Sequence, residues 1–153
     1  MLKVLIADDE EKICQLIIKL INWEEMGLKI AATASNGIEA LEQAKICKPE
    51  ILITDIRMPG IDGMELIRKV KEKLPDTEII IISGYRHFEY AQTAIRYGVR
   101  NYLLKPIKKE ELRDTLQKIA DIYREKNEQL NFEERVRLAL KNDAGKLRTS
   151  FIS

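Results

Sequence analysis

Asp55 is the first of several side chains whose types and positions would allow phosphate chemistry. It directly follows the apolar run 51–54, and the pair Asp8–Asp9 follows another such run. Ser83 and Lys105 end two further runs. A carboxylate nucleophile, oxygen ligands for a metal, a hydroxyl donor and a neutralising ammonium are the components of phosphoryl transfer to a carboxylate. Each residue alone is also common at turns and strand ends, so the prediction depends on the set.

The acidic run Asp8–Glu11 indicates a cation site if it lies near Asp55. Hard oxygen ligands with few other donors suit Mg²⁺, which also accepts phosphate oxygens as ligands. A helix N-terminus that favours acids is the alternative. That alternative accounts for Glu10 and Glu11 better than for the aspartate pair that ends the strand.

Five short apolar runs alternate with amphipathic stretches, which predicts strands at residues 4–7, 29–34, 51–54, 79–82 and 102–104. Strand–helix alternation with short connections favours a parallel sheet covered by helices on both faces. We therefore predict an α/β fold, a flavodoxin-like (βα)5 doubly wound sheet with strand order 2-1-3-4-5. The carboxyl ends of its strands form a crevice beside strands 1 and 3, where ligands bind in such folds.

Apolar spacings of three and four predict the buried stripes of the intervening helices. The predicted stripe residues are Ile13, Leu16, Ile17 and Leu20; Ile38, Leu41 and Ala44; Leu66, Ile67, Val70 and Leu74; and Phe88, Ala91, Ala94 and Ile95.

A fifth helix is predicted after Pro106, and its apolar spacing continues beyond what the sheet requires. This continuation indicates a coiled-coil-like stripe that Lys126 interrupts, and a solvated helical linker is the open alternative. We predict a compact domain over residues 1–125 and a helical tail over residues 126–153, with a helix stop at residues 143–145.

The composition favours one domain with an ordinary core, since 45% of the 153 residues are hydrophobic and 33% are charged. A net charge of +1 provides no basic surface for nucleic acid. Cys14 and Cys47 are expected to be buried, reduced thiols. No apolar stretch approaches the roughly 20 residues that cross a bilayer, and the chain enters its first strand directly. We expect a cytoplasmic protein with no membrane contact.

The set Asp8–Asp9, Asp55, Ser83 and Lys105–Pro106 resembles, in order and strand position, the receiver domains of two-component response regulators. The resemblance covers roughly residues 1 to 125. It implies that Asp55 accepts a phosphoryl group from the phosphohistidine of a sensor histidine kinase. Lys105 would pair with the acids or with a phosphoryl oxygen.

The same resemblance implies a metal site and a switch. Asp9, Asp55 and the backbone carbonyl of Arg57 would hold Mg²⁺, with Asp8 acting through water. Ser83 and Tyr102 would form the switch pair, although many relatives have Thr in place of this serine. Pro106 would follow a cis peptide bond.

The stretches 83–91, 98–99 and 102–106, together with residues 23–27, resemble more particularly the YesN-type branch. Its regulators usually end in an AraC-type helix-turn-helix module, and no such module fits after residue 125. We therefore expect a truncated chain that contacts DNA only through a missing effector, with a stand-alone receiver or a phosphorelay protein as the alternative. A homodimer would use helix 4, strand 5 and helix 5, or the extended C-terminal helix.

A few further residues could have a function as a catalytic base or as a contact surface. His87, the only histidine, is expected in an exposed loop or at a helix start rather than as a catalytic base, and Trp23 as a loop anchor over the core. Tyr90, Ala94 and Tyr97 are either an outward contact face of helix 4 or ordinary half-exposed residues.

Other function classes fit less well. A haloacid-dehalogenase-like phosphohydrolase needs an acid two residues after its nucleophile, where this chain has Arg57. A flavin or nucleotide binder needs a Gly-, Ser- or Thr-rich loop after strand 1, where Asp8–Glu11 would repel phosphate. A receiver that is never phosphorylated would be expected to have lost part of the acid–lysine set. We expect a phosphoacceptor signalling domain rather than an enzyme.

Overall fold

The structure is a computed structural model that describes residues 1–84 and 88–143. Five strands alternate with five helices in the order β1 (Leu2–Ala7), α1 (Glu11–Leu20), β2 (Leu28–Ala34), α2 (Gly37–Cys47), β3 (Ile51–Thr54), α3 (Gly63–Lys73), β4 (Glu78–Ser83), α4 (Phe88–Arg96), β5 (Asn101–Leu104) and α5 (Lys109–Asp143). A short 3-10 helix, Glu24–Met26, precedes β2.

The strands form one parallel sheet in the order β2-β1-β3-β4-β5, which confirms the predicted fold class and strand order. Each predicted strand lies within an observed strand. The differences are one or two residues at the ends, as at Leu2, whose ladder partner is Leu28. Leu2 is partly exposed, and Lys3 separates it from the apolar run 4–7 by which the strand was predicted.

The central strands of the sheet are buried on both faces, since every residue of β3 and β4 is buried. One face packs under α2, α3 and α4, and its sheet residues include Leu5, Leu52, Ile79 and Ile81. Alternate residues point to the opposite face, which α1 and the first turns of α5 cover in this topology. Burial on both sides explains why these strands are almost continuously apolar.

Two helices each have one predicted stripe residue outside the core, although Ile17 of α1 and Ala44 of α2 are buried as predicted. Leu16 of α1 is 41% exposed and Ile38 of α2 is 53% exposed, so both predicted contacts are wrong. Cys14 and Ile17 are the buried positions of α1, and α2 buries the small Ala40 instead. The large apolar residues determined which face of each helix was predicted to be buried, whereas small side chains such as Cys14 and Ala40 are the ones that turn inward.

Helix α4 likewise turns a small residue inward. Ala94 is buried, and Ile95 is 69% exposed, so Ile95 was wrongly assigned to the core. Tyr90 and Tyr97 are partly buried and pack against the core cluster that contains Ala94. These three residues therefore do not form an outward face, and the interpretation as ordinary half-buried residues is confirmed for the two tyrosines.

The chain divides into two compact units, Met1–Gln117 and a second that begins at Lys118. In the second unit, large apolar side chains are exposed along α5, namely Leu130, Phe132, Leu138 and Leu140. Whether they pair as a coiled coil stays a prediction. His87 and the residues of the predicted helix stop after Asp143 lie outside the described residues.

The structure also bears on Trp23, on the two cysteines and on membrane-spanning helices. Trp23 is buried, and its indole N–H donates to the Ile18 carbonyl at 3.0 Å, which confirms it as a loop anchor. Cys14 is buried as expected, whereas Cys47 is only half-buried, and both are free thiols. Within the described ranges, every helix is too short or too polar for a membrane span.

Candidate functional site

The acids of β1 and β3 lie side by side because the backbone pairing continues past the strand ends. The Asp55 N–H donates to the Ala7 carbonyl at 3.1 Å, and the Asp8 N–H donates to the Ala34 carbonyl at 3.0 Å. Both side chains are buried, with 3% of Asp8 and 6% of Asp55 exposed. Two carboxylates are thus held close together where little water can solvate them, and they need a cation.

Lys105 provides that cation. Its backbone N–H donates to the Ser83 carbonyl at 2.9 Å, which fixes the chain where β5 ends. Its ammonium Nζ lies 3.0 Å from Asp55 Oδ2 and 3.2 Å from Asp8 Oδ2. One amine therefore contacts two carboxylates that are far from it in sequence, as the strand-end prediction requires.

The electrostatics of this triad follow from its burial. Desolvation raises the pKa of Asp8 above its ordinary value of 3.8, against the lowering effects of the Glu10 N–H and the Lys105 charge, while the Asp55 charge raises it further. Burial also acts to lower the pKa of Lys105, but the hydrogen bonds and charges of the two aspartates outweigh it, so that this pKa is raised above 10.5.

Each buried acid also binds a backbone N–H with its second oxygen. The Ile56 N–H donates to Asp55 Oδ1 at 2.6 Å, and the Glu10 N–H donates to Asp8 Oδ1 at 2.9 Å. These bonds orient both carboxylates, so that Oδ2 of each faces Lys105.

An open cleft of about 290 Å³ lies against this triad, and it is lined by Asp9, Glu10, Asp55, Arg57, Gly84 and Lys105. Within the described part of the chain, one group of three acids brings its ligand oxygens within 4.8 Å of one another. That group is Asp8, Asp9 and Glu10. Clustered carboxylate oxygens with no histidine or cysteine ligand fit a hard divalent cation such as Mg²⁺.

The observed acid cluster differs in membership from the predicted ligand set. Asp8 and Asp9 belong to both sets, and Asp55 and Arg57 line the cleft together with Asp9. Glu10 was assigned to the helix N-terminus instead of to the metal site. It occupies the N-cap position of α1 in an extended conformation, and its side chain makes no capping hydrogen bond. Its place directly after two acids was the signal that could have identified it.

Ser83 and Tyr102 also lie together. Ser83 is fully buried at the end of β4, and Tyr102 is half-buried on the neighbouring strand. Burial raises the pKa of the Tyr102 phenol above 10.0, while a hydrogen bond with the Ser83 side chain acts to lower it. Gly84, the residue after Ser83, lines the cleft. The Lys105–Pro106 peptide bond is cis.

Comparisons with known proteins agree with this geometry. Residues 4–117 match the model of the response regulator receiver domain. The transcriptional regulatory protein YesN of Bacillus subtilis, itself described as uncharacterized, is 40% identical over 139 residues, which are 87% of this chain and 38% of YesN. The chain thus spans about two fifths of the length of the curated relatives that it matches.

Two solved structures are similar in both fold and sequence. The receiver domain of AraT, a response regulator from Geobacillus stearothermophilus, is 41% identical with a TM-score of 0.78, covering 82% of this chain and 98% of that one. A two-component transcriptional regulator AraC from Clostridium phytofermentans is 36% identical with a TM-score of 0.73, covering 79% and 94%. The fold, the match over residues 4–117 and these relatives together establish that the chain belongs to the response regulator receiver domain family.

Proposed function

We propose that Asp55 is the phosphoacceptor of this receiver and takes its phosphoryl group from the phosphohistidine of a sensor histidine kinase. The observation that carries the proposal is the contact of Lys105 with both buried aspartates, beside an open cleft. In the transfer, an Asp55 carboxylate oxygen forms a bond to phosphorus while the bond from phosphorus to the donor nitrogen breaks. The arrangement suits this step because the nucleophile is oriented before the donor arrives.

The neighbouring groups have distinct parts in the proposed reaction. Lys105 exchanges one carboxylate partner for a phosphoryl oxygen, so its positive charge stays neutralised as the product forms. Ser83 is the hydroxyl donor to a second phosphoryl oxygen. Its position at the end of β4, directly before the cleft residue Gly84, supports this role.

Mg²⁺ fits this site as the accompanying cation. Asp9, Asp55 and the Arg57 carbonyl would hold it, with Asp8 acting through water, and the clustering of Glu10 with Asp8 and Asp9 adds a further carboxylate. When bound, the ion supplies positive charge to the phosphoryl oxygens. The exposed Asp9 and Glu10 leave an open path from solvent.

The proposed output is a population shift of the surface formed by α4, β5 and the start of α5. When the Ser83 hydroxyl moves from Tyr102 toward the phosphoryl group, the interactions that hold the Tyr102 ring change. Ile95 and Leu104 are exposed on α4 and β5 and offer apolar contacts to a partner on this surface. A homodimer through this surface, or through the exposed apolar residues of the C-terminal helix, is part of the proposal.

We further propose that the domain acts in the cytoplasm and controls transcription through an AraC-type effector that binds DNA. The curated relatives include transcriptional regulatory proteins that are longer than this chain, since the matched residues make up 38% of YesN and 42% of HptR. In this proposal the receiver covers residues 1–125, and residues 126–153 connect it to the effector. A stand-alone receiver that acts by protein–protein contact or in a phosphorelay is the alternative.

Turnover of external phosphate esters is not part of the proposal. Arg57 lines the cleft at the position where an aspartate-nucleophile phosphohydrolase would have its second acid. A cation there cannot accept the proton of an attacking water.

Treatment with acetyl phosphate and Mg²⁺, followed by intact-mass measurement, tests the proposal. The wild type is expected to gain one phosphoryl group in a Mg²⁺-dependent reaction, and Asp55→Asn is expected to gain none. Asp62→Asn is the matched control, because it changes an acid in the same loop while keeping a residue that caps α3. No gain by the wild type, or an equal gain by Asp55→Asn, would contradict the proposal, and steady phosphate release from small monoesters would favour the hydrolase.

A further inference from the structure

The β2–α2 turn, taken as residues 34–37 with the last residue of β2 and the first of α2, contacts both segments that carry the acids of the site. On one side, the Ala34 carbonyl accepts the Asp8 N–H at 3.0 Å. On the other side, the Gly37 N–H donates to the Pro59 carbonyl at 3.3 Å, in the loop between β3 and α3. In the sheet, β2 pairs with β1 and is not adjacent to β3. The turn therefore joins two parts of the site across the edge of the sheet.

The contact at Gly37 is too close for any other residue. A Cβ atom on Gly37 would lie 2.0 Å from the Ile61 carbonyl oxygen, and a backbone atom cannot move aside as a flexible side chain can. A glycine at this position lets the first turn of α2 lie directly against the backbone of the β3–α3 loop.

The start of α2 is itself rigidly held. Asn36 caps the helix by accepting the Glu39 N–H at 2.8 Å, and the Glu39 side chain accepts from the Ser35 hydroxyl at 3.1 Å. The first bond satisfies one free N–H group of the first turn, and the second ties the residue before the cap to the helix. Since α2 is fixed there, an added Cβ would displace the loop rather than the helix.

The β3–α3 loop is fastened on either side of Arg57. Before it, the Ile56 carbonyl accepts the Gly63 N–H at 2.5 Å. After it, the Pro59 carbonyl accepts the hydrogen bond from the Gly37 N–H. Gly60 follows at a φ of +85°, and the Ile38 side chain packs over it. Arg57 lies between these two points of attachment.

We propose that the β2–α2 turn, through Gly37, is a positioning element of the divalent-cation site, because it holds the β3–α3 loop so that the Arg57 carbonyl faces the acids of β1. This inference rests on the proposed metal site. It assigns no contact with the ion to Gly37, whose effect is transmitted through Pro59 and Ile61. The exposed Ile38 supports the same loop by covering Gly60.

Calorimetric titration with Mg²⁺ alone, without a phosphate donor, tests this positioning. Gly37→Ala is expected to weaken Mg²⁺ binding by about tenfold or more, the size of effect seen when residues that orient metal ligands are changed. Ala44→Gly is the control, since it destabilises the far end of the same helix and does not touch the loop. Its Kd for Mg²⁺ is expected to stay within about twofold of wild type, because the loss of helix propensity and of one buried methyl group far from the loop leaves the ligands in place.

A second variant keeps the test decisive if Gly37→Ala does not fold. Ile38→Ala removes an exposed side chain from above Gly60, and it is expected to fold and to weaken Mg²⁺ binding several-fold. Unchanged Mg²⁺ affinity in the folded variants would overturn the positioning role while leaving the metal site intact. Wild-type protein that binds no Mg²⁺ would overturn the proposed metal site, and the positioning role with it.

Discussion

The ammonium of Lys105 lies 3.0 Å from Oδ2 of Asp55, although the two residues are 50 positions apart. The same ammonium contacts Asp8 at 3.2 Å, so the ends of β1, β3 and β5 meet at one positive charge. Two mutually repelling acids are held together by an amine that is itself available to a phosphoryl oxygen. The predictions below follow from this balance of charges.

Replacing Lys105 by methionine should destabilise the protein and make it more dependent on Mg²⁺. Two buried carboxylates then face each other without a cation, at a cost of about 2 kcal/mol after allowing for the partial exposure of the lysine. Bound Mg²⁺ should restore more stability to this variant than it adds to wild type. Urea unfolding with and without Mg²⁺, followed by fluorescence of the single buried Trp23, measures both effects.

The control for that change is Arg68→Met, which removes an exposed ion pair with Glu65 and Glu72. Surface pairs contribute little, so this variant should unfold almost as wild type does. Equal destabilisation of the two variants would contradict the importance assigned to the Lys105 contacts.

Asp8→Asn should stabilise the metal-free protein at neutral pH by about 1 kcal/mol, the usual scale of a single substitution. Burial raises the pKa of Asp8, so the folded state disfavours its charged form. This penalty is fully present above the raised pKa, and it disappears as the pH falls through that pKa toward 3.8. The stability difference between variant and wild type should therefore shrink on acidification in the presence of a chelator. A difference that is constant with pH would contradict the assignment.

Ser83→Ala should raise the pKa of the Tyr102 phenol further, because a hydrogen bond from Ser83 now lowers it against the effect of burial. A titration of tyrosinate absorbance, with Tyr102→Phe to identify the signal, measures this pKa. The reaction with acetyl phosphate should also slow by up to about tenfold, which corresponds to the loss of one hydrogen bond. An unchanged Tyr102 titration would mean that the two hydroxyls do not interact in solution.

The site could be predicted from the sequence because parallel strands end at one edge. Once Ile51–Thr54 was identified as a buried strand, Asp55 had to lie near the residues that follow the neighbouring strands. Lys105 could be predicted to lie near the acids for the same reason, without any information on side-chain conformation. Glu10 was left out, because an acid at the start of a helix already has a sufficient explanation in the helix dipole.

Helix phase was less predictable than strand order. In α4, Ala94 and Ile95 are adjacent and both were predicted to be buried, but Ala94 turns inward and Ile95 is 69% exposed. The small side chain of Ala94 lets the helix pack close to the sheet, so this side of α4 is the buried one. The contact of Gly37 with Ile61 was also missed, since it depends on a loop path that periodicity does not describe.

Locating the phosphoryl group on the chain tests the central claim most directly. Protein treated with acetyl phosphate and Mg²⁺ would be reduced with borohydride, which converts an acyl phosphate to a stable alcohol, and then mapped by peptide mass spectrometry. The account predicts a single modified residue, Asp55. Modification of Asp9 or another acid in place of Asp55, or no modification at all, would contradict it.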